Sequence, residues 1–213
     1  MTASGLYLIT DDRLADDDLV ARLEAALGAG ADVVQLRDKR PGRGRAYALG
    51  RRIAERCRAY GALFIVNDYA DLAVALDADG IHVGQDDLPP IATRAVVGPE
   101  RLVGLSVSAV EEAAETVDGD ADYIGFGSLF PTATKPDAEP AGPRLLAEAR
   151  SRVRLSIVGI GGVTAANLGE AIRAGADSVA VVSAVFGAAD PAAASRDLLA
   201  AIANARQSRP PRA

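Results

Sequence analysis

The sequence predicts one closed barrel of eight parallel strands ringed by helices, a (β/α)8 TIM barrel near the short end of that architecture's length range. Three observations predict it. Short apolar runs rich in Val, Ile and Leu alternate eight times with longer segments of helical period. An Ala-Asp pair leads into every second run, in "GAGADVV", "LDADGIHV", "DGDADYIG" and "RAGADSVAV". Seven of the eight runs end in polar or glycine-rich residues, which gathers chemistry at one rim.

The strands follow in order. "LYLIT" (6–10) leads into "DDLVARLEAALGAG", where Leu19, Leu23, Ala26 and Leu27 fall on one helical face. Then come "DVVQL" (32–36), "LFIVN" (63–67), "GIHVG" (80–84) and "LVGLSV" (102–107). "YIGFG" (123–127), "LSIVGI" (155–160) and "SVAVV" (178–182) complete the set. Wholly apolar strands separated by helices are what a parallel sheet buried on both faces requires. An open doubly wound sheet gives no reason for eight equal units with a recurring pair, whereas a barrel of four similar quarters does. No linker or shift in composition divides the chain, so residues 1–206 are expected to form one barrel domain and "QSRPPRA" (207–213) a disordered tail.

Composition excludes several classes. With 213 residues, 49% of them hydrophobic, the chain can bury one large core. A net charge of −6 and only 4% aromatics argue against nucleic acid as a partner. No apolar run is long enough to span a membrane, and "MTASGLYLIT" lacks the signal-peptide pattern. The one cysteine, Cys57, can form no internal disulfide, which fits a cytoplasmic protein, and no histidine follows it in a nucleophile motif. Of 23 basic residues only Lys39 and Lys135 are lysines, although arginine serves on ordinary helices such as "GRRIAERCRAYG". A lysine kept against that bias suggests a place for a compact ammonium.

Active sites of such barrels lie at the C-terminal ends of the strands. After strand two, Gln35, Arg37 and Lys39 alternate so that they share one side; after strand three come Asn67 and Asp68, and after strand four "GQDDLPP". Strand five ends at Ser106, strand six in "SLFPTATKPDAEPAG", strand seven in "GIGGVTAAN" and strand eight in "VVSAVFG", while "TDDR" after strand one contributes least. Asp68 and Asp87 are each candidates to cap the next helix. On neighbouring strands they also suit Mg2+, which takes one or two carboxylates plus substrate phosphates. Asp86 reads as a plain cap, and His82, two residues inside its strand, as a packed hydrogen-bonded residue. The Gly161-Gly162 pair ahead of a helix capped by Thr164 matches a recurrent phosphate site, although a tight turn alone also explains it. Arg37, Lys39 and Lys135 place three cations around the two carboxylates, a reversal of sign in an acidic chain that suits a diphosphate.

On these residues the chain resembles the thiamine phosphate synthase (thiamin-phosphate pyrophosphorylase) family. "QLRDK", "VND", "ADGIHVGQDD", "PTATK" and "GIGG" occur in the family's order and spacing, from "LYLIT" through "VVSAVF". The resemblance implies a transferase of thiamine biosynthesis that uses Mg2+. It would join 2-methyl-4-amino-5-hydroxymethylpyrimidine diphosphate to 4-methyl-5-(2-phosphoethyl)thiazole, or its carboxylated form, and release diphosphate. It implies that Gln35, Arg37, Lys39, Asn67 and Lys135 surround the pyrimidine diphosphate, with Ser106 beside the pyrimidine and Asp68 and Asp87 on the metal. Thr132, Thr134, Gly162, Val182 and Ser183 would receive the thiazole phosphate, and Arg37, Lys39, Ser106 and Lys135 would carry the catalysis. "PDAEPAG" after Lys135 would be a lid.

Two positions depart from the family pattern. Ser108 stands where a histidine is frequent, and Ser128 where a proline is common, which is expected to loosen the loop carrying Thr132 to Lys135. A thiazole tautomerase of the same fold is the nearest alternative, and it would need a proton-transferring histidine at position 108. A phosphate-binding barrel isomerase and a non-catalytic metabolite binder remain as other classes, and so does a homo-oligomer as the assembly. Turnover separates enzyme from binder, because a binder takes up the diphosphate without releasing it.

Overall fold

The computed structural model describes residues 5–116, 120–132 and 140–208. Eight parallel strands close on themselves in chain order: β1 (Leu6–Ile9), β2 (Val33–Leu36), β3 (Leu63–Asn67), β4 (Gly80–Val83), β5 (Leu102–Val107), β6 (Tyr123–Phe126), β7 (Ser156–Ile160) and β8 (Ser178–Val181). Between them lie α1 (Asp16–Gly28), α2 (Arg43–Tyr60), α3 (Ala70–Ala75), α4 (Pro90–Val97), α5 (Val110–Glu115), α6 (Gly142–Arg152) and α7 (Leu168–Ala174). After β8 a one-turn α8 (Ser183–Phe186) precedes the long α9 (Pro191–Gln207). The expected tail therefore starts inside a helix at Gln207, and its residues 209–213 lie outside the described residues. No helix among the described residues is long and apolar enough to cross a membrane.

Both faces of the strands are buried, as their unbroken apolar runs required. Outward residues such as Leu8, Val34, Val66 and Ile124 pack against the helices, and the expected α1 face is buried at Leu19, Leu23, Ala26 and Leu27. Inward residues Tyr7, Ile9, Val33, Ile65, Tyr123, Val158 and Ala180 fill the barrel interior.

The Ala-Asp repeat has a physical cause. Each of its aspartates stands one residue before an even strand and grips a residue at the start of the preceding odd strand twice, the first residue of β1 and the second of β3, β5 and β7. Asp32 donates its N–H to the Leu6 carbonyl at 3.0 Å, and its carboxylate accepts the Leu6 N–H at 2.9 Å. Asp79 does the same with Phe64, Asp122 with Val103 and Asp177 with Ile157, the carboxylate bonds being 2.7, 2.7 and 3.0 Å. The gripped N–H lies at the barrel's floor and needs an acceptor, because an unpaired backbone donor there is costly. The carboxylate supplies the partner. The alanine of each pair is buried, at Ala31, Ala78, Ala121 and Ala176, because it turns under the helix layer.

Candidate active site

The opposite rim collects the residues singled out from sequence, though not all in the expected roles. Asp68 follows β3 with φ +65, one of two described non-glycine residues in the left-handed region, where side chains other than glycine are strained. Its N–H donates to the His82 carbonyl at 2.8 Å, which ties the end of β3 to β4. The Arg43 guanidinium lies 3.5 Å from the centroid of the Tyr69 ring and braces the same turn. The Asp68 carboxylate takes the Lys39 ammonium. Asp87 lies against it: burial raises the Asp68 pKa, Lys39 draws it down and the Asp87 carboxylate pushes it up, with a net rise. Two acids pressed together, one of them already holding an ammonium, are what a divalent cation would neutralise.

The capping alternatives do not hold. Tyr69 precedes α3 and Pro89 precedes α4, so neither Asp68, Asp86 nor Asp87 is a helix cap. Asp86 is exposed in the turn. The Asp87 carboxylate instead turns back to accept the Gly84 N–H at 2.8 Å, which fixes its direction toward Asp68. Among the described residues no group of three or more His, Cys, Asp or Glu side chains could hold a metal. The donor set here is two carboxylates, and it fits an ion that completes its shell with water and substrate oxygens.

Gln35, Arg37 and Lys39 stand at different depths. Gln35 is an inward residue of β2, only 3% exposed, whereas Arg37 and Lys39 lie beyond the strand end. Strand one, expected to contribute least, positions both. Thr10 Oγ1 accepts the Arg37 N–H and donates to the Arg37 carbonyl, each at 2.9 Å. Asp12 accepts the Lys39 N–H at 3.0 Å and lies 3.8 Å from the Arg37 guanidinium. Between them Asp38 is buried, and although burial works to raise its pKa, Arg40 and Arg45 hold it below the usual carboxylate range. Of the three expected cations, Lys39 touches the acid pair, Arg37 is turned to Asp12, and Lys135 lies outside the described residues together with Thr134.

The far side of the rim is a second cluster. Gly161 and Gly162 adopt φ +93 and +65, and a Cβ on Gly162 would stand 2.4 Å from the Pro131 carbonyl oxygen, so only glycine lets the loops after β6 and β7 meet. Phe130 N–H donates to the Gly161 carbonyl at 3.0 Å and Leu129 N–H to that of Ile160 at 2.8 Å. The Ser128 hydroxyl donates to the Phe130 carbonyl at 2.9 Å, while residues 133–135 of the loop it was expected to loosen lie outside the described residues. Part-exposed Thr132 and Gly162 stand on this side, and beyond β8 come part-exposed Val182 and exposed Ser183, which opens α8. The helix after the glycines starts later than expected: Asn167, not Thr164, precedes α7, and its side chain accepts the Thr164 N–H at 2.8 Å. The expected lid is "PDAEPAG" (136–142): residues 136–139 lie outside the described residues, and its last residue, Gly142, opens α6.

Below the rim lies a polar group of which sequence reasoning singled out Gln35, His82 and Ser106 but not Tyr7 and Tyr123. Gln35 Nε2 donates to the Tyr7 hydroxyl at 2.9 Å, and the Tyr7 and Tyr123 hydroxyls are 3.0 Å apart. Tyr123 reaches His82 Nδ1 at 3.1 Å, and His82 Nε2 reaches Ser106 Oγ at 2.9 Å. Tyr7, Gln35, Tyr123 and His82 are buried, while Ser106 is part-exposed. Burial holds the His82 pKa down to about 4, against a small upward pull from Asp87. Asn67 closes β3 beside His82 in register. Ser108, by contrast, is exposed and committed to Glu112, whose carboxylate accepts its N–H at 2.7 Å. Cys57 is buried near the floor, its thiol pushed up to about 12 by burial and then by Asp79, which leaves it inert.

A family model described as thiamine monophosphate synthase matches residues 6–185. A thiamine-phosphate synthase of Roseiflexus sp. (strain RS-1) is 48% identical over 206 residues, covering 96% of this chain and 87% of that one. The thiamine-phosphate synthase of Methanospirillum hungatei JF-1 is 46% identical over 194 residues, 90% of this chain and 94% of that one. A solved thiamine phosphate pyrophosphorylase from Pyrococcus furiosus superposes with a TM-score of 0.88 at 36% identity, covering 96% of this chain and 98% of that chain.

Proposed function

The chain belongs to the thiamine monophosphate synthase family, and we propose that it joins the hydroxymethylpyrimidine diphosphate to the phosphoethyl thiazole, giving thiamine phosphate and diphosphate. The observation that carries this reading is the carboxylate pair Asp68–Asp87 with the Lys39 ammonium on it. In this assignment the pair holds Mg2+, which when bound supplies positive charge to the leaving diphosphate. Lys39, held here by Asp68, would then be free to face the diphosphate, with Arg37, steadied by Thr10 and Asp12, beside it.

The chemistry needs no base. The bond between the pyrimidine methylene and its oxygen breaks with both electrons going to diphosphate. The cation left on the aminopyrimidine is taken by the lone pair of the thiazole nitrogen, which forms the new C–N bond. No proton changes hands. This suits a rim whose one histidine is buried with both ring nitrogens already bonded. The work left to the protein is alignment, exclusion of water and stabilisation of the departing charge.

Gln35, Asn67 and Ser106 are assigned to the pyrimidine side, and Thr132, Gly162, Val182 and Ser183 to the thiazole phosphate. Lys135 and Thr134 are assigned with them on the family motif "PTATK" alone. The tautomerase alternative is disfavoured by Ser108, which is exposed and bonded to Glu112 where that activity would need a histidine. A cytoplasmic location is supported by the lone, unpaired cysteine.

The test is incubation of the purified protein with both substrates and Mg2+, followed by chromatography. Thiamine phosphate should form and should cease to form when a chelator removes the metal. Undiminished product in chelator would contradict the assignment of Asp68 and Asp87.

A further inference from the structure

We propose that the buried chain Gln35–Tyr7–Tyr123–His82–Ser106 is a one-way hydrogen-bond relay that fixes the Ser106 hydroxyl as a donor to the oxygen leaving with diphosphate, with Tyr123 and His82 as positioning residues. The proposal rests on the reading that Ser106 faces the pyrimidine diphosphate.

The direction of the relay follows from what each group can do. The Gln35 amide nitrogen only donates, so the Tyr7 oxygen accepts, at 2.9 Å. Tyr7 has a single proton, and the hydroxyl 3.0 Å away is that of Tyr123. Tyr123 then has its own proton for His82 Nδ1 at 3.1 Å. A neutral imidazole that accepts at Nδ1 carries its hydrogen on Nε2, and Nε2 points at Ser106 Oγ, 2.9 Å away. The serine oxygen therefore accepts from below, and its own proton is left for the mouth of the barrel. The Ser106 carbonyl is taken separately, by Gln85 Nε2 at 2.8 Å.

The backbone is cut to seat this relay. Gly104, the register partner of His82 on β5, has no room for a Cβ: the atom would stand 2.2 Å from Tyr123 Cζ and 2.5 Å from His82 Nδ1. A Cβ on Gly125, the partner of Ser106 on β6, would come within 3.1 Å of His82 Cε1. Two adjacent strands thus give up side chains around one imidazole. A histidine that merely filled space would not need an aligned hydroxyl on each ring nitrogen. The sense of the relay also selects the acceptor. As the bond breaks, the aminopyrimidine becomes positive and the departing oxygen negative, so a fixed donor stabilises only the latter.

The chain has one histidine, so the imidazole nitrogens can be followed by 15N NMR without assignment. The wild-type protein should show a neutral ring protonated at Nε2, and Tyr123→Phe should lose that single tautomer. In single-turnover assays Tyr123→Phe should slow diphosphate release by roughly ten- to a hundredfold, less than removal of a direct oxyanion donor, with substrate affinity little changed. His82→Gln, whose amide keeps a donor near Ser106, should retain more of the rate than His82→Leu at matched folded fraction. A wild-type protein that turns over with its histidine protonated at Nδ1, or a Tyr123→Phe protein of normal rate, would overturn the relay. An Nε2-protonated histidine in a protein that releases no diphosphate would instead contradict the proposed reaction.

Discussion

Asp79 and Phe64 hold each other twice: the Asp79 N–H donates to the Phe64 carbonyl at 2.9 Å, and the Phe64 N–H donates to the Asp79 carboxylate at 2.7 Å. The same pairing closes the floor of the barrel at Asp32, Asp122 and Asp177. It lies at the end of the strands away from the rim that carries Lys39, Asp68 and Asp87. Asp79→Ala should therefore lower stability by about 1 kcal/mol, a few degrees in Tm, and leave kcat unchanged. Thermal unfolding and a rate per folded molecule check it. A loss of rate without loss of stability would put the clamp in the catalytic machinery.

Thr10 and Asp12 hold the segment that carries Arg37 and Lys39. Asp12→Ala should free that segment and raise KM for the pyrimidine diphosphate several-fold, with a smaller effect on kcat. Steady-state kinetics separates the two. An unchanged KM would mean that the Arg37–Lys39 segment keeps its place without Asp12.

The raised pKa of Asp68, which comes first from burial and then from Asp87 against Lys39, gives a pH prediction. Protons and the metal compete for the same carboxylate, so the acid limb of activity should lie above the ordinary carboxylate range at low Mg2+ and move down as Mg2+ rises. A limb that ignores the metal concentration would contradict the assignment of this pair.

His82 gives a prediction on stability. Its folded pKa, about 4, lies below the ordinary 6.5, so between those values the unfolded chain binds more protons. Its contribution is present in full above pH 6.5 and is lost as pH falls toward 4, roughly 3 kcal/mol across that window. Asp68, with a raised pKa, works in the opposite sense, contributing below the unfolded carboxylate pKa and losing that contribution as pH rises. Denaturant titrations of wild type and His82→Gln separate them: the variant should lose the slope between pH 4 and 6.5. A slope that survives in His82→Gln would assign it to other groups.

The strands were legible because a parallel barrel buries both faces, and "LFIVN" or "LVGLSV" has no other use in a chain of this kind. Asp68 and Asp87 were legible because two acids stand at the ends of neighbouring strands. Helix starts were less so: the choice between Thr164 and Asn167, or the failure of Asp86 to cap, depends on turn geometry rather than residue type. The relay was hidden for another reason. Tyr7 and Tyr123 sit in apolar strands and read as core, and they meet only because β1 and β6 face each other inside a closed barrel, 116 residues apart in sequence. The Ser128 bond to the Phe130 carbonyl was not legible either, because residue type alone does not say where a hydroxyl turns.

The central claim is tested most directly by counting both products in one reaction. With the pyrimidine diphosphate, the thiazole phosphate and Mg2+ present, wild-type protein should release diphosphate and form thiamine phosphate in equal amounts, and Asp68→Asn should do neither at a comparable rate. Uptake of the pyrimidine diphosphate with no diphosphate released, or equal turnover by Asp68→Asn, would contradict the account.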